Sequence, residues 1–146
     1  MATIELSNQQ TIHPIKTGRL TEQARKILDA LGYPETELSL VLVDDSEISR
    51  LNQVYLDRQG PTNVISFSMQ EGPYNEINPQ LLGDVVISVE TAAVDAEKGG
   101  FTLEEMLDFY LIHGILHLAG YDHEGSPDEA SRMETKSEEI WRILGY

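Results

Sequence analysis

The stretch from Leu103 to His123 reads LEEMLDFYLIHGILHLAGYDH and carries both a long apolar helix and most of the histidines of the chain. Thr102, followed three residues later by Glu105, forms a capping-box pattern, and acidic side chains fill the first turn, where the helix dipole favours them. From Leu103 to Leu118 apolar side chains occur on almost every side, which is typical of a buried helix. The sequence therefore predicts that this helix lies in the interior of the fold.

Strand and helix patterns flank this segment on its N-terminal side, and one further helix follows it. Alternating or continuous apolar runs predict strands at TIEL near the N-terminus and over 37–43, 64–69 and 81–88. Helical periodicity and capping residues predict helices over 17–30, from Asp45 onwards, from Ser88 to Lys98, and from Ser126 to about Leu144. The order β-α-β-α-β-β-α-α-α predicts an α/β (α+β) fold, a small sheet with helices packed on its faces.

Length and composition limit the class of protein. The 146 residues predict a single domain over 1–146, because domains usually run to about 100–200 residues. The chain contains no cysteine, which excludes a disulfide scaffold, a thiolate zinc site and cysteine catalysis and fits a reducing cytoplasm. No apolar run approaches the ~18–20 residues that cross a bilayer, and the N-terminus lacks the pattern of a signal peptide. We therefore expect a cytoplasmic protein without a membrane partner.

The excess of acidic residues restricts how the protein can bind a polyanion. Ten Lys and Arg against 25 Asp and Glu give a net charge of −15, which repels nucleic acid in general. A nucleic-acid role would therefore require a local basic patch or a bound metal. Between Lys26 and Lys98 the only basic residues are Arg50 and Arg58, which makes them candidate contacts for an anion. The alternative is that both are solvated surface groups or belong to helix salt bridges.

Three of the four histidines have the spacing of a metal site. His113 and His117 are four residues apart, about 40° around a helix axis, so both project from one helix face. Gly120 is suited to end the helix and reverse the chain, which would let His123 return as a third ligand. Three imidazoles leave the fourth tetrahedral position to water, as in catalytic zinc sites, although nickel or copper would also bind them. The fourth histidine, His13, fits a surface position.

One residue inside this motif separates it from zinc peptidases. The spacing matches the metzincin pattern HExxHxxGxxH, but Gly114 replaces the glutamate that serves those enzymes as general base. This replacement argues against ordinary peptide hydrolysis. Asp122 and Asp84 remain as nearby carboxylates that could orient a histidine or, for Asp122, cap the turn.

The run HGILHLAGYDH resembles the signature of the YbeY family of bacterial endoribonucleases. Two further segments agree with this family, TNVISF over 62–67 and LLGDVVI over 81–87, and the resemblance spans most of residues 37–146. It implies a small, mixed, mostly parallel four-stranded sheet packed with about five helices, similar to metalloproteases. It also implies that one zinc ion, or another divalent transition metal, is held by His113, His117 and His123.

The resemblance also implies an activity and its partners. The family is associated with metal-dependent cleavage of single-stranded RNA in 16S rRNA 3′-end maturation and ribosome quality control. Zinc-bound water or hydroxide would assist phosphodiester hydrolysis. The expected partners are rRNA and the ribosomal subunit or its proteins. By this reasoning Arg58 and Asp122 are candidate catalytic residues, and Arg50, Arg58 and Asn63 are candidate substrate-binding residues.

The chain departs from the family pattern at one position. The family has an arginine directly after the residue matching Tyr55, whereas this chain has Leu56, and Arg58 stands where the family has lysine. Either Arg58 or Arg50 takes over the phosphate contact, or RNA cleavage is weakened. The alternative function is a non-catalytic, metal-stabilised module of ribosome assembly, since an acidic protein readily meets basic ribosomal proteins. A metallopeptidase is the less favoured alternative, and the sequence does not predict an oligomeric state.

Overall fold

A computed structural model of the protein describes residues 1–68, 81–122 and 125–146. The strands are β1 (Thr3–Asn8), β2 (Glu37–Val43), β3 (Val64–Ser68) and β4 (Leu81–Ser88). The helices are α1 (Thr17–Ala30), α2 (Asp45–Leu56), α3 (Val89–Gly99), α4 (Leu103–Leu118) and α5 (Pro127–Ile143). The predicted order of strands and helices is therefore confirmed in the described residues. The predicted last residue of the third strand, Met69, lies outside them.

The strands form one mixed sheet in the order β1-β2-β4-β3. β1 runs parallel to β2 and β2 parallel to β4, with Leu40 opposite Val85, whereas β3 pairs antiparallel with β4. The expected mixed, mostly parallel sheet is thus confirmed, as is the α/β class. β3 lies at one edge of the sheet and packs against α4.

Helix α4 occupies the centre of the molecule, as its composition predicts. Leu111, Ile112 and Ile115 are completely buried, and the helix packs against α1, α3, α5 and the sheet. Val85 and Ile87 of β4 belong to the same apolar core. The predicted capping box is complete, because the Thr102 hydroxyl accepts from the Glu105 amide and the Glu105 carboxylate accepts from the Thr102 amide. No helix in the described ranges is long and apolar enough to cross a membrane.

Asp44 and Glu47 have the spacing of a capping box at the start of α2, but only half of this box forms. At the start of α2 the Asp44 carboxylate accepts a hydrogen bond from the Glu47 amide at 2.9 Å, as expected. The Glu47 carboxylate, however, binds the Arg50 guanidinium through two hydrogen bonds of 2.6 and 3.1 Å. The charged donor is the stronger partner for this carboxylate, because hydrogen bonds between ionised groups are stronger than those to a neutral amide.

Asp108 is a charged residue inside the buried helix, and the apolar pattern gave no sign of its role. Its side chain is completely buried, and its Oδ2 atom accepts from Arg19 at 2.5 Å, Gln23 at 2.9 Å and the Tyr146 hydroxyl at 2.6 Å. Burial of a carboxylate requires this compensation, since an unpaired buried charge is strongly destabilising. The cluster fastens α1 and the C-terminal residue to α4.

A second polar contact joins α3 to α4 and makes the free energy of unfolding change with pH in the alkaline range. The Tyr110 hydroxyl donates a hydrogen bond to the Asp95 carboxylate. Burial, together with this bond, raises the pKa of Tyr110 to about 12, although a hydrogen bond with Asn63 acts in the opposite direction. A tyrosine in the unfolded chain titrates near pH ~10. The neutral hydroxyl therefore contributes fully below about pH 10, and its contribution is lost as the pH rises towards about 12.

Between about pH 9 and about pH 11 we expect the free energy of unfolding to fall by roughly 1 kcal/mol more in the wild type than in Tyr110→Phe, which cannot ionise. Urea denaturation of both proteins, at about pH 9 and again at about pH 11, measures the difference. An identical fall in both proteins would show that the hydroxyl of Tyr110 does not carry this pH dependence.

Candidate metal centre

His113 and His117 meet on one face of α4, as their spacing predicts. The two Nε2 atoms lie 3.2 Å apart, and the ring centroids are separated by 4.7 Å with 72° between the planes. Both side chains are half-buried, so they are held by the surrounding structure yet remain reachable from outside. The last two turns of α4 therefore present two imidazole nitrogens to one point in space.

This arrangement fits a shared metal ion. Two nitrogens that each lie ~2.0–2.1 Å from one tetrahedral ion are about 3.3 Å apart, close to the observed separation. The same distance also fits a hydrogen bond between a protonated and an unprotonated ring nitrogen. The described residues contain no group of three or more potential ligands, because His123 lies outside them. The assignment of His123 as third ligand stays a prediction.

A turn at Gly120 ends α4 just beyond this pair of rings. Gly120 adopts a left-handed conformation with φ of 97°, which glycine tolerates without strain. Its amide donates to the carbonyl oxygen of His117 at 3.1 Å, and the Tyr121 amide donates to the carbonyl oxygen of Leu116 at 3.0 Å. The predicted end of the helix at Gly120 is thus confirmed. Asp122, the candidate catalytic carboxylate, follows in this loop and is exposed.

Gly114 faces the sheet and leaves no room for a side chain. A Cβ atom there would lie 2.7 Å from Cγ1 of Val85 and 3.2 Å from Cγ2 of Val64. The Ser66 hydroxyl also donates a hydrogen bond to the Gly114 carbonyl oxygen at 2.9 Å. At the position that holds the catalytic glutamate in zinc peptidases, the close packing of α4 on β3 and β4 therefore leaves no space for a side chain. The sequence analysis missed Ser66, which it included only as part of the predicted strand over 64–69.

The other predicted site residues lie on α2 and on the connection from α2 to β3. Arg50 donates to the Glu47 carboxylate on the exposed face of α2. This hydrogen bond raises the pKa of the Arg50 guanidinium and lowers the pKa of the Glu47 carboxyl. Arg58 is exposed just beyond the left-handed Asp57, whose φ is 52°. The Asn63 side chain accepts from the Val64 amide at 2.7 Å. The structure thus brings His113 and His117 together on α4 and places these three residues on other elements.

Asp84 lies on the sheet face opposite α4. Side chains alternate along β4, so Asp84 and Val86 face away from the core that holds Val85 and Ile87. Asp84 lines a shallow cavity with Tyr55 and Phe67 instead. The interpretation of Asp84 as a carboxylate that orients a histidine is therefore not supported.

Comparison with known proteins gives consistent matches along the chain. Residues 5–145 match the sequence profile of a family described as Endoribonuclease YbeY. Proteins named endoribonuclease YbeY from Geobacter metallireducens and Geobacter sulfurreducens are 53% and 51% identical over 142 residues, which is 97% of this chain and 95% of each relative. A Thermotoga maritima protein solved in solution superposes with a TM-score of 0.64 at 26% identity, covering 99% of this chain and 89% of the other.

Proposed function

Since the chain belongs to the endoribonuclease YbeY family, we propose that it is a zinc-dependent endoribonuclease that matures the 3′ end of 16S rRNA. Its substrate is single-stranded RNA, and its setting is ribosome maturation and quality control. The observation that carries the metal assignment is the convergence of His113 and His117, whose Nε2 atoms lie 3.2 Å apart. The family carries the assignment of RNA as substrate.

His113, His117 and His123 would hold the ion. A divalent cation there supplies a Lewis acid that acidifies a water molecule and offsets the negative charge that develops on a phosphodiester during hydrolysis. The chain itself supplies the rigid support for two of these ligands. Ser66 and the contact of Gly114 with β3 and β4 fix α4 against the sheet, so both rings keep their relative position.

The proposal requires a basic side chain of the protein to contact an RNA phosphate, because the net charge of −15 repels RNA. Arg50 is already neutralised by Glu47. Arg58 is exposed and, within the described ranges, has no ion-pair partner. We therefore place the phosphate contact at Arg58. Its guanidinium would take the role of the arginine that the family has at the position of Leu56. Asp122, in the loop that leads to His123, is our candidate for the carboxylate that transfers protons near the metal ligands.

Chelation of the metal tests the proposal. The substrate is a 3′-extended 16S rRNA fragment, and the control is an unrelated single-stranded RNA of equal length. We expect a chelator to reduce cleavage of the extended fragment at least ~100-fold and zinc to restore it, because the ion stabilises the reacting phosphate. The far-ultraviolet circular dichroism spectrum of the chelated protein reports whether the fold is retained.

Each part of the proposal has its own contrary result. Undiminished cleavage with chelator would overturn the role of zinc. Equal cleavage of the extended fragment and of the control RNA would overturn the assignment to 16S rRNA. A protein that holds one zinc ion per chain yet cuts neither RNA would favour the non-catalytic module of ribosome assembly.

A further inference from the structure

A cavity of about 500 Å³ opens where the loop after α4 meets the turn between α1 and β2 and the first half of α5. Its volume is in the range of small-molecule and cofactor sites. Tyr121 and Asp122 form one wall, Tyr33 another, and Arg132 and Lys136 a third. The cavity thus lies against the loop that leads directly to the predicted ligand His123.

Two aromatic rings are held in this cavity by the core. Tyr33 and Tyr121 are each half-buried and pack against the main apolar cluster. The Tyr33 amide donates to the carbonyl oxygen of Leu28 at 2.9 Å, which anchors its backbone to the end of α1. Rings that are fixed on one side and accessible on the other are suited to stacking against a nucleobase, since every base has an aromatic face.

Two cations share the same cavity. Arg132 and Lys136 are four residues apart on α5, so their side chains lie on one helix face. The Arg132 guanidinium lies 5.9 Å from the centroid of the Tyr121 ring, and in the part of the chain that is described it forms no ion pair with a carboxylate. Lys136 forms an ion pair with Glu139, with Nζ 3.4 Å from each carboxylate oxygen, which is longer than the 2.6 Å of the Arg50–Glu47 pair. The same cavity is also lined by Asp122 and Glu129, so its two cations balance its two carboxylates in a chain whose net charge is −15.

Among the α5 residues that line the cavity, the charge changes from negative to positive along the helix. Glu129, in the first turn, lines the cavity near the loop that contains Asp122, whereas Arg132 and Lys136 follow one and two turns later. A polyanion would therefore be repelled at the first turn and attracted at the second and third. This difference favours phosphates beside Arg132 and Lys136 over phosphates beside Asp122 and Glu129.

We propose that this cavity binds a segment of the single-stranded RNA substrate adjacent to the cleaved bond. Tyr33 and Tyr121 stack on bases, and Arg132 and Lys136 contact phosphates. Arginine suits this role, because its planar fork pairs with phosphate oxygens and stacks on aromatic rings. The inference rests on the proposed function for the identity of the ligand as RNA, and it adds a binding site away from Arg58 on the α2–β3 connection.

Matched charge reversals test the phosphate contact. Arg132→Glu and Lys98→Glu each change the net charge from −15 to −17, but Lys98 lies in the last turn of α3 and does not line the cavity. Binding of a fluorescent single-stranded RNA is measured by anisotropy in a His117→Ala background, so that the RNA stays intact. We expect Arg132→Glu to weaken binding about tenfold or more and to reduce the salt dependence, with less than about threefold change for Lys98→Glu. An equal loss in both variants would overturn the proposal.

The stacking contact is tested with Tyr33→Leu and Tyr33→Phe. Tyr33→Leu removes the ring and should weaken binding of the RNA severalfold, whereas Tyr33→Phe keeps the ring and should bind like the wild type. Equal affinity of all three proteins would overturn the stacking role.

Cleavage of the 3′-extended fragment separates this inference from the proposed function. If the wild type cuts this RNA while Arg132→Glu binds it as tightly as Lys98→Glu, the role of the cavity in RNA binding is overturned and the proposed function is not. A wild type that cuts no RNA while the binding differences persist would overturn the proposed function and leave the cavity as an RNA site.

Discussion

His117→Ala should lower RNA cleavage at least ~100-fold, an increase of about 2.7 kcal/mol in the activation free energy, while the fold is retained. The imidazole is half-buried and its Nε2 atom faces that of His113 at 3.2 Å, so its loss removes one of the two described ligands of the candidate metal centre. Most of the apolar contacts of α4 come from other side chains and survive the substitution. Cleavage rate, zinc content per chain and circular dichroism are the measurements.

His13→Ala is the matched control, because His13 lies outside α4, in the segment before α1. We expect this variant to keep both the zinc content and the cleavage rate of the wild type. Zinc content that stays at one ion per chain in His117→Ala would contradict the assignment of His117 as a ligand. Unchanged cleavage in His117→Ala would contradict the metal-dependent mechanism itself.

Gly114→Glu should destabilise the protein by more than about 4 kcal/mol, close to the whole stability of many domains. Its Cβ atom alone would meet Val85 at 2.7 Å and Val64 at 3.2 Å, and the carboxylate would be forced towards the apolar contact between α4 and the sheet. The better helix propensity of glutamate recovers less than about 1 kcal/mol of this loss. Urea denaturation measures the difference, and soluble expression reports complete failure to fold.

Gly18→Glu provides the comparison for this variant. Gly18 lies in the first turn of α1, a Cβ atom there meets nothing within 4 Å, and an acidic side chain is favoured at a helix N-terminus. We expect its stability to equal or slightly exceed that of the wild type. Equal stability of Gly114→Glu and Gly18→Glu would show that α4 has more freedom to move away from the sheet than the structure indicates. With the expected result, a glutamate at position 114 would disrupt the packing of α4 on the sheet rather than supply a general base.

The predictions that the structure confirms concern mainly local patterns. The capping box at Thr102 and Glu105, the pairing of His113 with His117 and the turn at Gly120 each depend on residues within about four positions of one another. The mixed sheet was implied by the family resemblance and not by the strand patterns, since alternation along a strand does not identify its neighbours.

The sequence by itself therefore determined the buried character of α4, the two converging imidazoles and the point at which the helix ends, because backbone geometry relates nearby residues directly. Only the tertiary structure decided the rest. The carboxylate of Asp108 meets Gln23, a residue 85 positions away, and Gly114 meets Val85 on the sheet. The same packing places Asp84 on the far face of β4 and joins Tyr33 and Arg132 in one cavity. Such contacts depend on how whole elements pack, and no local pattern records that arrangement.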